Sequence, residues 1–518
     1  MKQQPSEEQD ASQPGCHQLW INTTCAIVVV AIAIRLILNF RHTLAPGMDA
    51  AFYPMQTRWL IKYGELMFSD MPLMFWLNVG VSTLLELGGW SFDAATQLSP
   101  RLIDCFSQPW AAVPIMVLGY AWTNGRRELL PYIAAAAVIA VISPPIIRMA
   151  GDFQKNSLGL VWMAFSILAL HEALASDLKI WRWLIVALFV VLAALTHVGA
   201  FAITCVILAG CLLGILIANG SKFWQQHSRK ILVVAAVCIV GLVGLVLVMS
   251  QVAPAKTQRF LNLTRIASKF NLNVRPLALI VAGAVYALLG FLLWKIWKHR
   301  PKIEPANFAI GFGMVFGLTI MSLPVLEETW LMRFQLMTPI PAAILTMLLL
   351  KIFQIDQRSV WIKRSVLAVA GLLAIAAVFF PQGPVISEAA AKELKSAHFE
   401  FIKTGAGWSK GKIKNTLIVA PHGIEFWAGL LLGTRASQNI PNRIDEYERV
   451  LVLKANDGFR GHGPMRPGLD SSTPPALPRD DRPANSKRGR HSVEEIEIPD
   501  DVEIFYQGKL FSLHELKQ

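Results

Sequence analysis

Three stretches carry the side chains whose chemistry is most specific. The first, residues 45–77, reads APGMDAAFYPMQTRWLIKYGELMFSDMPLMFWL. Asp49 comes just before an amphipathic stretch in which Phe52, Met55, Trp59 and Leu60 recur at helical spacing while Arg58 and Lys62 fall elsewhere. A carboxylate held partly desolvated at such an interface can take a proton from a hydroxyl, which makes Asp49 a candidate general base. Asp is also a favoured helix N-cap, and the two roles are compatible.

The second stretch, RMAGDFQKNSLG, places Asp152 and Lys155 where the chain re-enters an apolar run. A capping Asp with a snorkelling Lys would explain them. The functional alternative has Asp49 and Asp152 approach each other and orient an acceptor hydroxyl or share a divalent cation. Mg or Mn would suit such carboxylates if a metal takes part.

The third stretch, residues 251–275, carries Lys256, Arg259, Arg265, Lys269 and Arg275 with no acidic residue. A phosphate or diphosphate headgroup is the natural partner, since Arg binds phosphate bidentately. General attraction to anionic lipid is the alternative. Arg333 in ETWLMRFQLM is a second phosphate candidate, unless it pairs with Glu327 or Glu328. His197, in LTHVGAF between two apolar runs, is either a hydrogen-bonded turn residue or part of the site.

These stretches need elements to position them. Of the 518 residues 54% are hydrophobic and only 16% charged, against about 25% charged in a soluble domain. The first 381 residues are a series of apolar runs near spanning length, which excludes a soluble enzyme or transcription factor. Residues 382–518 hold 19 basic and 18 acidic residues, so 12 of the 13 net positive charges lie before them. That excess fits anionic lipid or a phosphorylated ligand, and no nucleic acid is expected. The six cysteines, Cys16, Cys25, Cys105, Cys205, Cys211 and Cys238, form no disulfide framework or zinc spacing.

Residues 1–18 read as a disordered tail. The run 19–40 is too long for a signal-peptide core and reads as an uncleaved first span. Further spans are expected near 103–122, 129–147, 157–175, 181–197, 199–218, 230–250, 276–297, 305–325, 334–353 and 363–381. Basic clusters at Arg126–Arg127, Lys179/Arg182, Lys222/Arg229/Lys230, Lys298/Arg300/Lys302 and Arg358/Lys363/Arg364 are two spans apart, so all five fall on one, cytoplasmic, side. The run 72–90, which opens on Pro72 and contains Asn78 and Glu86, reads as a helix lying at the interface. The count is then eleven spans, with the N-terminus cytoplasmic and the C-terminal segment outside. Asp49, Asp70, Asp152, Lys155, His197, the 251–275 loop and Arg333 all gather on that outer face.

From residue 382 the composition changes. Helical pattern runs over 386–403, NTLIVAPHGIEFWAGLLLGT reads as strand, turn and helix with His422 and Glu425 at the turn, and 447–455 reads as a strand. Residues 461–491 read as a flexible loop, and VEEIEI and VEIFYQGKLFSL alternate like strands. This is a small extracytoplasmic α/β domain over 382–518, and the His422–Glu425 turn reads as structural rather than as a site.

The order of elements over 19–381, with GMDAAFY at 47–53, SDMPL at 69–73 and GDFQKN at 151–156, resembles the GT-C superfamily of integral-membrane glycosyltransferases. The resemblance implies an all-α polytopic domain whose long first outer loop, 41–102, carries interfacial helices. It also implies inverting transfer from a polyprenyl-phosphate-linked sugar. The catalytic carboxylates map to Asp49, as base, and Asp152. Lipid-phosphate binding maps to Arg259, Arg265, Lys269 and Arg333, and Tyr53, Asp70, Lys155 and His197, gathered on the same outer face, are the other candidate substrate-binding residues. A metal would fall to Asp49 and Asp152, but the lone Asp49 puts metal dependence in doubt, and no cofactor is certain. No WWD-type motif is present, which argues against oligosaccharyltransferase activity.

The reading is therefore a multi-pass enzyme of a bacterial inner membrane. It would act on a glycan, lipid or protein acceptor. The rivals are a lipid-linked-saccharide flippase and a non-catalytic polymer-export subunit.

Overall fold

The computed structural model describes residues 14–175, 179–218, 247, 250, 276–300, 303–326, 328–353, 368, 370–373, 375–379, 383–404, 415–441, 443–456, 459 and 502–516. The chain divides into two compact units. The first comprises Met1–Ile37, Phe68–Gly80 and Leu102–Phe380. The second comprises Leu38–Met67, Val81–Arg101 and Pro381–Gln518. Residues 41–102 are thus shared between them, and most of this stretch clusters with the C-terminal segment.

The helices in chain order begin with α1 (Pro14–Phe40), α2 (Phe52–Tyr63), α3 (Leu73–Leu87), α4 (Phe92–Ser107) and α5 (Ala112–Thr123). Next come α6 (Leu130–Ile142), α7 (Pro144–Arg148), α8 (Gln154–Ala175), α9 (Ile180–Thr196) and α10 (Val198–Ala218). They are followed by α11 (Pro276–Lys298), α12 (Pro305–Met321), α13 (Glu328–Met337) and α14 (Pro339–Phe353). Their ends follow ordinary backbone chemistry. Proline occupies the first turns of α6, α7 and α12, where its missing N–H is not needed. Gly64 closes α2 in the left-handed region and Asn124 closes α5 likewise.

Among the described residues six helices are long and apolar enough to cross a membrane, or seven if the bent pair Leu331–Met337 and Pro339–Ile352 is one span. The chain is a multi-pass membrane protein. The first span starts early: α1 runs from Pro14, so residues 14–18 are helical. The apolar helices α3, α9 and α12 are shorter, at 15, 17 and 17 residues. At 1.5 Å per residue α3 is about 22 Å long, against a hydrocarbon core of ~30 Å. Most of the span expected over 230–250 and about half of that over 363–381 lie outside the described residues, as do loop 461–491 and the VEEIEI strand.

In the first unit α10 and α12 meet through small residues. A Cβ on Gly313 would lie 2.2 Å from the Cys211 sulfur, and one on Gly214 would lie 2.9 Å from the Ala309 Cα. Such close backbone approach is how helices associate where no hydrophobic effect drives them together.

The second unit holds α15 (Glu388–Thr404), β1 (Thr416–Val419), α16 (Ile424–Leu432), β2 (Arg435–Ser437), β3 (Arg449–Ala455), β4 (Glu503–Gln507) and β5 (Phe511–Glu515). The five strands form one mixed sheet in the order β2-β1-β3-β5-β4. β1 is parallel to both β2 and β3, while β5 is antiparallel to β3 and β4. β1 is buried along its whole length, as expected of a central parallel strand. Leu417, Val419, Val450, Val452 and Leu516 form the core of one sheet face.

Candidate active site

Within the second unit the backbone leading to Asp49 is held at several points. Arg101 donates to the carbonyls of Thr43 (3.0 Å), His42 (2.8 Å) and Asn39, and its guanidinium stacks 4.3 Å from the Phe40 ring. A cation over the last carbonyls of α1 also complements the helix dipole. Gly47, at φ +102°, donates its N–H to the Gly383 carbonyl (3.1 Å) in a bridge with Pro384. The Asp49 carbonyl then accepts from Phe52 N–H (3.0 Å) as α2 begins. The residue before α2 is Ala51, in helical conformation. Asp49 is half-buried. Tyr53 is 2% exposed, a core residue of this unit.

Arg58 fixes α2 in place. It donates to the Thr96 hydroxyl (2.9 Å) and the Leu430 carbonyl (3.1 Å), and pairs with the Asp93 carboxylate (2.9 Å). Burial lowers the Arg58 pKa, and Asp93 acts in the opposite direction.

Within the first unit the turn carrying Asp152 is clamped from below. Arg35 on α1 and Asp104 on α4 form a fully buried ion pair at 2.7 Å. The second Asp104 oxygen accepts the Gly151 N–H (3.1 Å), and Arg35 donates to the Ile146 carbonyl (3.1 Å). Asp152, half-buried, follows Gly151, which takes φ +75°. Lys155 forms an ion pair with Asp70 and lies 5.7 Å from the Phe75 ring. Asp70 is 3% exposed and also accepts its neighbour Met71's N–H at 2.8 Å. His197 accepts the Ala200 N–H at its Nδ1 (3.2 Å), so it caps the first turn of α10.

No protein-family model and no curated protein sequence matches this chain. Solved structures do. The oligosaccharyltransferase of Archaeoglobus fulgidus, in complex with zinc and sulfate, has a TM-score of 0.53 at 12% identity, over 82% of this chain and 67% of that one. ArnT of Cupriavidus metallidurans in the apo state has a TM-score of 0.52 at 12% identity, over 85% and 94%. The same protein bound to undecaprenyl phosphate has a TM-score of 0.52 at 12% identity, over 96% and 98%. This chain has the GT-C membrane fold.

In the GT-C fold of this protein, the residues expected from sequence are distributed between the two units. Asp49 and Tyr53 belong to the second. Asp70, Asp152, Lys155, His197 and Arg333 belong to the first, where Asp70 and Lys155 meet. Arg333, on α13, is exposed. Arg259, Arg265 and Lys269 lie outside the described residues, as do Glu327 and the Glu328 side chain that would pair with Arg333. Among the described residues no three His, Cys, Asp or Glu side chains gather as a metal site. Sequence reasoning missed Arg35, Asp104 and Arg101. Their signal was present: charges inside apolar runs must be paired or hydrogen-bonded to be tolerated there.

Proposed function

We propose that this protein transfers a hexosyl or pentosyl group from a polyprenyl phosphate or diphosphate carrier to an acceptor hydroxyl on the extracytoplasmic face, with inversion. The observation that carries this reading is the likeness, over nearly all of both chains, to an ArnT structure holding undecaprenyl phosphate. Asp49 takes the proton of the acceptor hydroxyl as its oxygen attacks the anomeric carbon. The bond from that carbon to the carrier phosphate breaks, and the polyprenyl phosphate leaves with the electron pair. Lys155, Arg333 and the basic 251–275 loop stabilise the departing charge. Asp152 orients the acceptor. If a hard cation such as Mg or Mn takes part, carboxylate oxygens are the ligands it prefers, and no step above depends on it.

Native mass spectrometry of the purified protein with undecaprenyl phosphate tests the carrier half of this reading. One retained lipid, weakened about tenfold by Lys155→Ala or Arg333→Ala, is expected for a lost charge-assisted contact. Binding no tighter than that of phosphatidylglycerol would contradict it. A flippase or a non-catalytic export subunit of the same fold needs no base, so loss of transfer in Asp49→Asn separates those readings from this one.

A further inference from the structure

The turn after β1 is built against the segment that bears Asp49. Gly423, at φ +85°, sits so close to it that a Cβ there would lie 2.7 Å from the Met48 side chain. Phe426 on α16 meets Phe52 edge-on at 5.2 Å. The turn lies beyond the carboxyl end of β1, and Gln438 follows directly on β2, its parallel neighbour in the sheet.

Three polar side chains converge there from the ends of β1 and β2. The Gln438 amide donates to Glu425 Oε1 at 2.9 Å and lies 2.9 Å from His422 Nδ1. His422 Nδ1 is 3.2 Å from the same carboxylate oxygen. Glu425 is 1% exposed, and its other oxygen has no hydrogen-bond partner. His422 and Gln438 are exposed. When the Gln438 amide donates to Nδ1, the imidazole carries its proton on Nε2, and the amide carbonyl remains an acceptor. A buried carboxylate thus holds the exposed His422 imidazole and the exposed Gln438 amide side by side.

We infer that the Pro421–Glu425 turn with Gln438 is an acceptor subsite beside Asp49, and that its ligand is a hydroxyl-bearing saccharide. A sugar hydroxyl both donates and accepts, which matches the imidazole and amide of the His422–Gln438 pair. The Glu425 carboxylate beneath disfavours a phosphorylated group at this position. This inference rests on the assignment of Asp49 as base and names the acceptor class for that same site.

Saturation-transfer NMR on the full-length protein in nanodiscs tests it with methyl glycosides of glucose, galactose and mannose. Transfer to at least one glycoside is expected, with inorganic phosphate failing to compete. His422→Ala and Gln438→Ala, both at exposed positions, should each weaken binding about tenfold with an unchanged melting temperature. Glu425→Gln should weaken binding in the same assay without shifting the melting curve. Asp49→Asn should retain glycoside binding whether or not it abolishes transfer, which separates failure of the subsite from failure of the base. No transfer to any glycoside in the unaltered protein, or unaltered binding in His422→Ala and Gln438→Ala, would overturn the inference.

Discussion

Asp104 joins two parts of the first unit with its two oxygens: one pairs with Arg35 at 2.7 Å and the other accepts the Gly151 N–H at 3.1 Å, one residue before Asp152. Two fully buried charges are tolerated here because they pair with each other and are further hydrogen-bonded.

Removing one partner leaves the other uncompensated. Arg35→Ala or Asp104→Ala should lower stability by about 3–5 kcal/mol, read as a fall in the melting temperature of the detergent-purified protein. The double variant Arg35→Met/Asp104→Leu should recover most of that stability and still lose transfer, because Gly151 N–H has lost its acceptor. Full transfer in the stable double variant would show that the pair only holds helices together.

Arg58 reaches three residues from one planar guanidinium, Thr96, Leu430 and Asp93. Lysine has a single ammonium and cannot reproduce that fork. Arg58→Lys should therefore behave nearly as Arg58→Ala, losing about 1–3 kcal/mol and exposing the C-terminal segment to limited proteolysis. A lysine variant as resistant as the unaltered protein would contradict this.

The second unit should weaken in acid. His398 donates from Nδ1 to the Leu432 carbonyl at 2.9 Å. Its pKa is lowered chiefly by burial, with Lys62 and Arg58 adding to that and the Leu432 bond and Asp93 opposing it. Burial, then Lys454, lower His514 as well. The unfolded chain then binds protons first as pH falls below the ordinary imidazole value of about 6.5, so stability declines from there until the folded-state values are passed. Hydrogen exchange of residues 383–404 and 502–516 between pH 8 and 5 should show protection falling with pH. His398→Gln should flatten the profile.

Much of this was legible beforehand, for identifiable reasons. Apolar runs report spans directly, since lipid imposes one length and one polarity. The strand–turn–helix over NTLIVAPHGIEFWAGLLLGT was readable from a β-rich run, a Pro-His-Gly turn and an apolar helix. What the sequence left open was tertiary. Nothing local links Arg101 to the carbonyls of Asn39, His42 and Thr43, some sixty residues earlier. Nor does anything local show that residues 38–67 cluster with the C-terminal segment. Nothing local pairs the His422–Glu425 turn with Gln438, which follows a different strand.

The interfacial placement proposed for α3 sets the sidedness of residues 41–102. Thr43→Cys and Ser91→Cys, both at exposed positions, can be introduced one at a time into a cysteine-free background. An impermeant maleimide added from outside should label both. Labelling of one from outside and the other only after permeabilisation would mean that α3 crosses the bilayer.

The most direct measurement is the release of undecaprenyl phosphate from lipid-linked sugars, followed by mass spectrometry in membranes containing the unaltered protein or Asp49→Asn at equal abundance. The account predicts release by the unaltered protein and a loss of at least about a hundredfold in the variant, the least that removal of a general base should produce. Equal release by both would contradict it.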